Sequence, residues 1–308
     1  MKAIRLDQYG GPERLRYEDA PEPRPTEGQI LVRVQATSVN PFDFKLASGA
    51  LQKLMSLDFP WVPGGDFAGV VEAVGPGAAG LNRGDAVYGY RPGGGAYAEL
   101  VAAPAGMVAP RPKKLSPVEA ASVPVAGQTA WQGLFDHGQL QRGQTVLIHA
   151  AAGGVGTFAV MLAHWKGARV LATGSADNAE YLRSLGADRP IDYKATKFES
   201  VAKDVDLVLD LAGGDTQQRS FGVLKPGGRL VSTVQPPPKD EAARRNVQAM
   251  MMQMQPSAKT LTELSGLFDA GIIRTVVTKT YPLAQAADAW KSQMAGHTRG
   301  KVVLTVAG

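Results

Sequence analysis

Residues 145–167 read TVLIHAAAGGVGTFAVMLAHWKG. The run TVLIHA is short and apolar, as expected of a strand buried in a sheet. It passes through AAAGGVG, Ala150 to Gly156, into a segment whose apolar residues recur at helical spacing. The core of the turn, Ala151-x-Gly153-x-x-Gly156, is the dinucleotide fingerprint with alanine in place of its first glycine. Missing side chains let the backbone approach a pyrophosphate, and the N–H groups and positive end of the helix stabilise its charge. A glycine-rich turn alone is weak evidence. Set between a strand and a helix of one βαβ unit, it predicts nucleotide binding by Gly153, Gly154, Val155 and Gly156.

Downstream, the alternation repeats. The strand RVLATG precedes the helical NAEYLRSLGAD, then come the strands PIDY and VDLVLDLAG, a helix from Gln217 to Leu224, the turn KPGG and the strand RLVSTV. Repeated βα units predict a doubly wound parallel sheet with helices on both faces. VQAMMMQMQ reads as a further strand before the helix SAKTLTELSGLFDAG, and QPPPKDEAARR as an exposed loop with a short helix. Upstream, as far as Pro117, short alternating runs such as ILVRVQATSV and GVVEAVG lie between Gly and Pro, the pattern of a β-rich domain. The tail places Leu283, Ala287, Trp290 and Met294 at helical spacing and closes with the strand KVVLTV, resembling the first domain. The expected division is therefore 1–117 with 281–308 as one domain and 118–280 as the nucleotide domain, inserted into it.

The strand RVLATG should end beside the adenine ribose, where NAD enzymes place an acidic residue. Gly174 stands there, and Ser175, Asn178 and Tyr193 can hydrogen-bond a 2′-phosphate, so NADPH is the expected cofactor. Asp177 argues the other way, and TGSADN as a plain helix cap suits either cofactor. Ala212 and Gly213, with Val234 and Gln235, follow strands at their carboxyl ends, where such sheets bind ligands.

Composition narrows the chemistry. The chain has 308 residues, 44% hydrophobic and 20% charged, with no apolar run of membrane-spanning length. The amino terminus, MKAIRLDQYGG, carries no secretory pattern, so a cytoplasmic setting is expected. There is no cysteine, which removes disulfides, thiolate nucleophiles and cysteine-ligated metals. His137, His149, His164 and His297 are scattered, and no metal site is expected. The net charge of +5 is spread in pairs such as Lys113/Lys114 and Arg244/Arg245, without the basic face and interleaved aromatics of a nucleic-acid reader, so no nucleic-acid partner is expected.

Several segments together resemble one family: NPFDFKLASG at 40–49, VPGGDFAGVVEAVG at 62–75, GDAVYG, GAYAELV, the QTA around Thr129, AAAGGVG and the closing GKVVL. The sequence resembles the medium-chain dehydrogenases/reductases over essentially its whole length, and within them the zinc-free quinone oxidoreductases of the ζ-crystallin type and the plant alkenal/enone reductases. The resemblance implies a GroES-like β-rich domain, a Rossmann domain, and a cleft lined by Asn40, Asp43 and Lys45. There hydride would pass from NADPH to a quinone or an α,β-unsaturated carbonyl compound. Relatives often carry tyrosine at the position of Lys45, whereas the enone reductases tend to carry lysine.

A conjugated acceptor needs a donor near the oxygen where charge develops, worth about 3 to 4 kcal/mol in the transition state. Lys45 is the candidate, donating to the substrate oxygen or to the nicotinamide ribose, with Asn40 adding a neutral hydrogen bond; the bland alternatives are a solvated lysine and a strand-end turn residue. Thr129 is expected, by resemblance, to contact the nicotinamide. Asp66 reads as a buried structural carboxylate satisfied by backbone N–H groups rather than as a general acid. At least two of Met250, Met251, Met252 and Met254 read as core, the others as pocket or dimer seam. A homodimer is expected by analogy with relatives. The competing readings are a non-catalytic nucleotide-binding protein, crystallin-like or RNA-binding, and an enoyl-thioester reductase.

Overall fold

The computed structural model describes every residue except Leu54, His297 and Gly308. The chain divides into two compact units, residues 1–125 with 256–308, and residues 126–255.

In the first unit Gln29–Ser38 is the organising strand. Its sequence QILVRVQATS alternates between buried and more exposed side chains before becoming fully buried at its end, as a strand must when one face covers a core. It pairs antiparallel with Asp66–Val74, Leu100–Pro104 and the C-terminal strand Lys301–Thr305. The sheet runs Val277–Pro282, Lys301–Thr305, Gln29–Ser38, Asp66–Val74, Ala86–Tyr90, Val108–Pro110, with Leu100–Pro104 paired off that path. Phe67, Tyr97 and Trp290 are fully buried in its core with Ile4, Leu6 and Ile30; each such burial contributes roughly 1.5–3 kcal/mol.

The second unit is a six-stranded parallel sheet in the order Arg189–Asp192, Arg169–Gly174, Thr145–Ile148, Val205–Asp210, Leu224–Ser232, Gln248–Met251. Numbered from Thr145–Ile148, that is 3-2-1-4-5-6, the Rossmann order, with its switch point between Thr145–Ile148 and Val205–Asp210. The helices Gly154–Trp165, Ala179–Ser184, Gly214–Ser220 and Lys239–Arg244 lie in the connections between successive strands.

The division differs from the sequence expectation: 118–125 and 256–280 fall in the first unit. The helix Ala258–Asp269 reads like another βα element, but the buried Tyr88 hydroxyl of the first unit donates to Leu261 O at 2.6 Å and lies 3.0 Å from Ser265 Oγ. Two boundaries also move. The helix expected from Gln217 to Leu224 spans Gly214–Ser220, and the next strand begins at Leu224, taking in KPGG with a register irregularity. Among the methionines Met252 is buried and Met254 half-buried, while Met250 and Met251 are exposed on the sheet's last strand.

Candidate active-site elements in the two units

The fingerprint turn begins at His149, just past the central strand Thr145–Ile148. Ala150 turns with φ 48°, Gly153 N–H donates to Ala150 O at 3.1 Å, and the helix starts at Gly154. Gly156 cannot be replaced without displacement, because a Cβ there would lie 2.5 Å from Ala151 Cα and 2.6 Å from Ala150 O. Its bare backbone lets helix and turn touch. A Cβ on Gly153 would meet only Ala150 O, at 3.4 Å, so this position stays open to an incoming group. The first turn Gly154, Val155, Gly156 presents N–H groups that a helix leaves without internal partners, a ready site for a phosphate. These residues fit a dinucleotide.

The strand Arg169–Gly174 brings four more of the expected residues together. Gly174 ends it, Ser175 follows, Asn178 Nδ2 donates to Ser175 Oγ at 2.9 Å, and Tyr193 N–H donates to Gly174 O at 3.2 Å. Tyr193 is exposed, as is Asp177. Ala212, Gly213, Val234 and Gln235 also converge, organised by a residue that sequence reasoning passed over. The fully buried Asp210 accepts from the N–H groups of Ala212 at 3.0 Å and Gly213 at 2.8 Å through one oxygen, and from Gln217 Nε2 at 3.0 Å and Ser232 Oγ at 2.8 Å through the other. Gly213 has φ 74°, a left-handed conformation that disfavours a side chain, and a Cβ there would meet Val234 Cγ1 at 2.8 Å. The sequence clue was the aspartate closing the run VDLVLD, with Gly213 and Gly214 three and four positions on.

His149, another residue without an assigned role, is 1% exposed at the switch point. Ser220 Oγ gives its proton to Thr216 O, at 2.6 Å, so it accepts from His149 Nε2–H at 2.9 Å, and His149 Nδ1 accepts from Thr173 Oγ1 at 3.1 Å. Burial pushes the imidazole down to about 4, so it is neutral at pH 7. Thr129 is buried in the helix Pro124–Trp131. It belongs to the same unit as the fingerprint turn.

In the first unit Asn40 caps the helix Pro41–Ala47, and the predicted trio separates by environment. Lys45 is exposed in the last turn of that helix, while Asn40 and Asp43 are buried. Asn40 is held at both ends of its amide: Oδ1 accepts from Lys301 Nζ at 2.5 Å, and Nδ2 donates to Asp66 Oδ2 at 2.8 Å. Lys301 also donates to Val39 O at 3.0 Å and stands 3.7 Å from Asp66 Oδ2. Asp66 is fully buried, as expected, but its partners are mainly side chains: Ser38 Oγ at 2.6 Å and Asn40 Nδ2 on one oxygen, and a single backbone N–H, Val125, at 2.8 Å on the other. Burial pushes the Asp66 carboxyl up and the Lys301 ammonium down, and each charge opposes the shift of the other. Lys301 was legible only as part of GKVVL.

Asp43 Oδ2 accepts from Asn40 N–H at 2.9 Å and Tyr97 OH at 3.1 Å, and Trp290 Nε1 in turn donates to the Tyr97 oxygen at 3.2 Å. Burial, with the Asp66 charge adding to it, raises the Asp43 carboxyl to about 7 against the pull of the Asn40 N–H, Lys301 and Tyr97.

Comparison with known proteins agrees with both units. Residues 26–113 match the alcohol dehydrogenase GroES-like domain, and residues 185–304 match a family described as zinc-binding dehydrogenase. Over 99% of its length the chain is 32% identical to a chloroplast envelope quinone oxidoreductase homolog of Arabidopsis thaliana, covering 98% of that protein. It is 34% identical to the 2-methylene-furan-3-one reductase of Solanum lycopersicum, covering 99% of this chain and 79% of the relative. The Escherichia coli quinone oxidoreductase solved with NADPH superposes with a TM-score of 0.90 at 27% identity, over 99% of this chain and 100% of that one. The chain belongs to the medium-chain dehydrogenase/reductase superfamily, in its quinone oxidoreductase branch.

The zinc in the description of one matched family does not fit these residues. Cysteine is absent, and among the described residues no three His, Asp or Glu side chains gather into a metal-holding group; His297 lies outside the described residues.

Proposed function

We infer that the protein is an NADPH-dependent oxidoreductase reducing a quinone or an α,β-unsaturated carbonyl compound without a metal. The observation that carries this reading is the pairing of a Rossmann fingerprint turn, closed by a Gly156 that admits no side chain, with a polar cluster at a helix of the GroES-like unit. The relatives carry names of the same chemistry.

When bound, the nicotinamide supplies hydride. The turn 153–156 binds the pyrophosphate through backbone N–H groups and the helix dipole. Gly174 offers no carboxylate to repel a 2′-phosphate, and Ser175, Asn178 and Tyr193 hydrogen-bond it, which favours NADPH over NADH. Ala212 and Gly213, fixed by Asp210, and Val234, held through Ser232, contact the cofactor near its nicotinamide end, with Thr129. In the GroES-like unit the exposed Lys45 donates to the oxygen where negative charge develops, and Asn40, clamped by Lys301 and Asp66, keeps the start of that helix in place.

We further infer a cytoplasmic homodimer. Among the described residues no helix is long and apolar enough to cross a membrane. The terminal strand Gln248–Met251 carries the exposed Met250 and Met251, which suits edge pairing between two copies.

The test is steady-state oxidation of NADPH and NADH with ortho-quinones, para-quinones, 2-alkenals and alkenones, with and without a chelator. NADPH-selective, chelator-insensitive turnover is expected. Tight NADPH binding without turnover on any acceptor would refute the reading.

A further inference from the structure

Asp210 orders the loops on one side of the Rossmann switch point. The turn on the other side carries the fingerprint, and it contains a backbone conformation that does not hold itself. Ala150 has φ 48°, in the left-handed region, where a residue with a Cβ stays only when its surroundings over-determine it. The ligand side of the turn depends on that conformation. Ala150 O accepts from Gly153 N–H at 3.1 Å, and it lies where a Cβ on Gly156 would meet it at 2.6 Å. If Ala150 relaxed to an ordinary conformation, that carbonyl would leave its place and the first N–H groups of the helix Gly154–Trp165 would lose their aim.

His149 is the residue before it, and every polar atom of His149 that can hold the turn from the Thr145–Ile148 side is engaged within the same unit. Its backbone N–H donates to Leu209 O at 3.0 Å, on the neighbouring strand. Its ring packs edge-on against Phe198, with centroids 4.8 Å apart. Nε2 donates to Ser220 Oγ at 2.9 Å, and Nδ1 accepts from Thr173 Oγ1 at 3.1 Å. Thr173 closes the circuit, because its backbone O accepts from Ala151 N–H at 3.0 Å. Ala150 is thus flanked by two residues tied to Thr173, His149 through the threonine hydroxyl and Ala151 through the threonine carbonyl. A neutral imidazole offers one donor and one acceptor, and both are used. An apolar side chain could pack on Phe198 without the cost of burying polar atoms, so the two bonds are what the histidine adds.

We propose that His149 is a positioning residue for the cofactor: through Thr173 it clamps Ala150 in its left-handed conformation and so aims the N–H groups of residues 153–156 at the pyrophosphate. It touches no reacting atom. The assignment rests on the NADPH-dependent reading above. The bond to Ser220 extends the clamp to the last residue of the helix Gly214–Ser220, so the fingerprint turn is tied to the crossover that begins at the Ala212–Gly213 loop.

The test is a double-mutant cycle on NADPH binding, by fluorescence titration and by steady-state kinetics with an acceptor that the wild type reduces. His149→Leu keeps an apolar side chain against Phe198 and removes both ring bonds. Its Kd for NADPH should rise about tenfold, with the loss appearing in KM for NADPH rather than in kcat at saturation. Glycine adopts a φ of 48° without strain and needs no clamp. In an Ala150→Gly background, His149→Leu should therefore weaken binding by less than about threefold. A residue that only supports the fold would weaken binding by the same factor in both backgrounds. Thr173→Val is a milder route to the same end, since it takes the hydroxyl from Nδ1 and leaves the ring in place. It should raise Kd by about threefold, and by less beside Ala150→Gly, and it carries the test if His149→Leu does not fold. Unchanged NADPH affinity in whichever of the two variants folds, or equal losses in the two backgrounds, would overturn the assignment and leave the oxidoreductase reading standing. A wild type that binds no NADPH would sink that reading and this assignment with it.

Discussion

Asp66 in the GroES-like unit and Asp210 in the Rossmann unit are both fully buried carboxylates, and they are stabilised in opposite ways. Asp66 sits 3.7 Å from a buried lysine, in a cluster that joins the C-terminal strand to the start of a helix. Asp210 is held by the backbone N–H groups of Ala212 and Gly213 in the loop that follows it, by the amide of Gln217 on the next helix and by the hydroxyl of Ser232 at the end of the neighbouring strand. The first arrangement is a charge pair whose loss of one member leaves an uncompensated buried charge. The second is a neutral cradle whose loss mainly loosens loops. The contrast teaches that similar burial of similar residues can balance a charge in one unit and set the geometry of loops in the other.

The largest effect should come from breaking the charge pair. Lys301→Met strands Asp66 and should cost about 3–5 kcal/mol in denaturant unfolding, and adding Asp66→Asn should recover much of that. Full stability in the single variant would show that the pair is not what holds this cluster.

The Rossmann unit has its own acid weakness, at His149. Its folded value of about 4 lies below the ordinary 6.5, so the unfolded chain binds the extra proton first. Stability is complete above about pH 6.5 and is lost as pH falls toward 4, by about 3 kcal/mol over that window. Unfolding at pH 7 and pH 5, in wild type and in His149→Gln, should show this slope in the wild type and a shallower one in the variant.

Asp210→Asn should sharpen the contrast further. An amide must present an N–H to donors that the carboxylate accepted, at a cost of about 1–3 kcal/mol. Its signature should be weaker NADPH binding in a fluorescence titration, about tenfold, with the melting of the GroES-like unit unmoved. The smallest effect expected is at Gly174→Asp. Its Cβ would meet only the movable Leu182 Cδ1, at 3.0 Å, and the Asn178 Cβ at 3.5 Å, so the chain should fold. The added charge should shift the NADPH-to-NADH ratio of kcat/KM toward NADH by roughly tenfold.

What could be read in advance followed from locality. The fingerprint turn, the βα alternation and the Asn40-to-Lys45 helix are contiguous, so their spacing in sequence is their spacing in the fold. The Lys301 to Asn40 bond joins residues 261 apart, and no periodicity in GKVVL points to it. Asp210 and His149 each close a strand run, but whether a polar residue at a strand end faces solvent or a ring of donors depends on neighbours from other strands. The domain boundary failed for a related reason. The helix Ala258–Asp269 has the local pattern of a Rossmann element, and only the Tyr88 contacts show to which core it belongs.

The central claim, hydride delivery to the conjugated carbon rather than to the carbonyl, is tested most directly with NADPH deuterated at nicotinamide C4, in each of its two configurations, and a simple alkenone. One configuration should place a single deuterium on the β-carbon of a saturated ketone, seen by mass and by NMR. Deuterium on the carbonyl carbon of an allylic alcohol, or no transfer from either form, would contradict it.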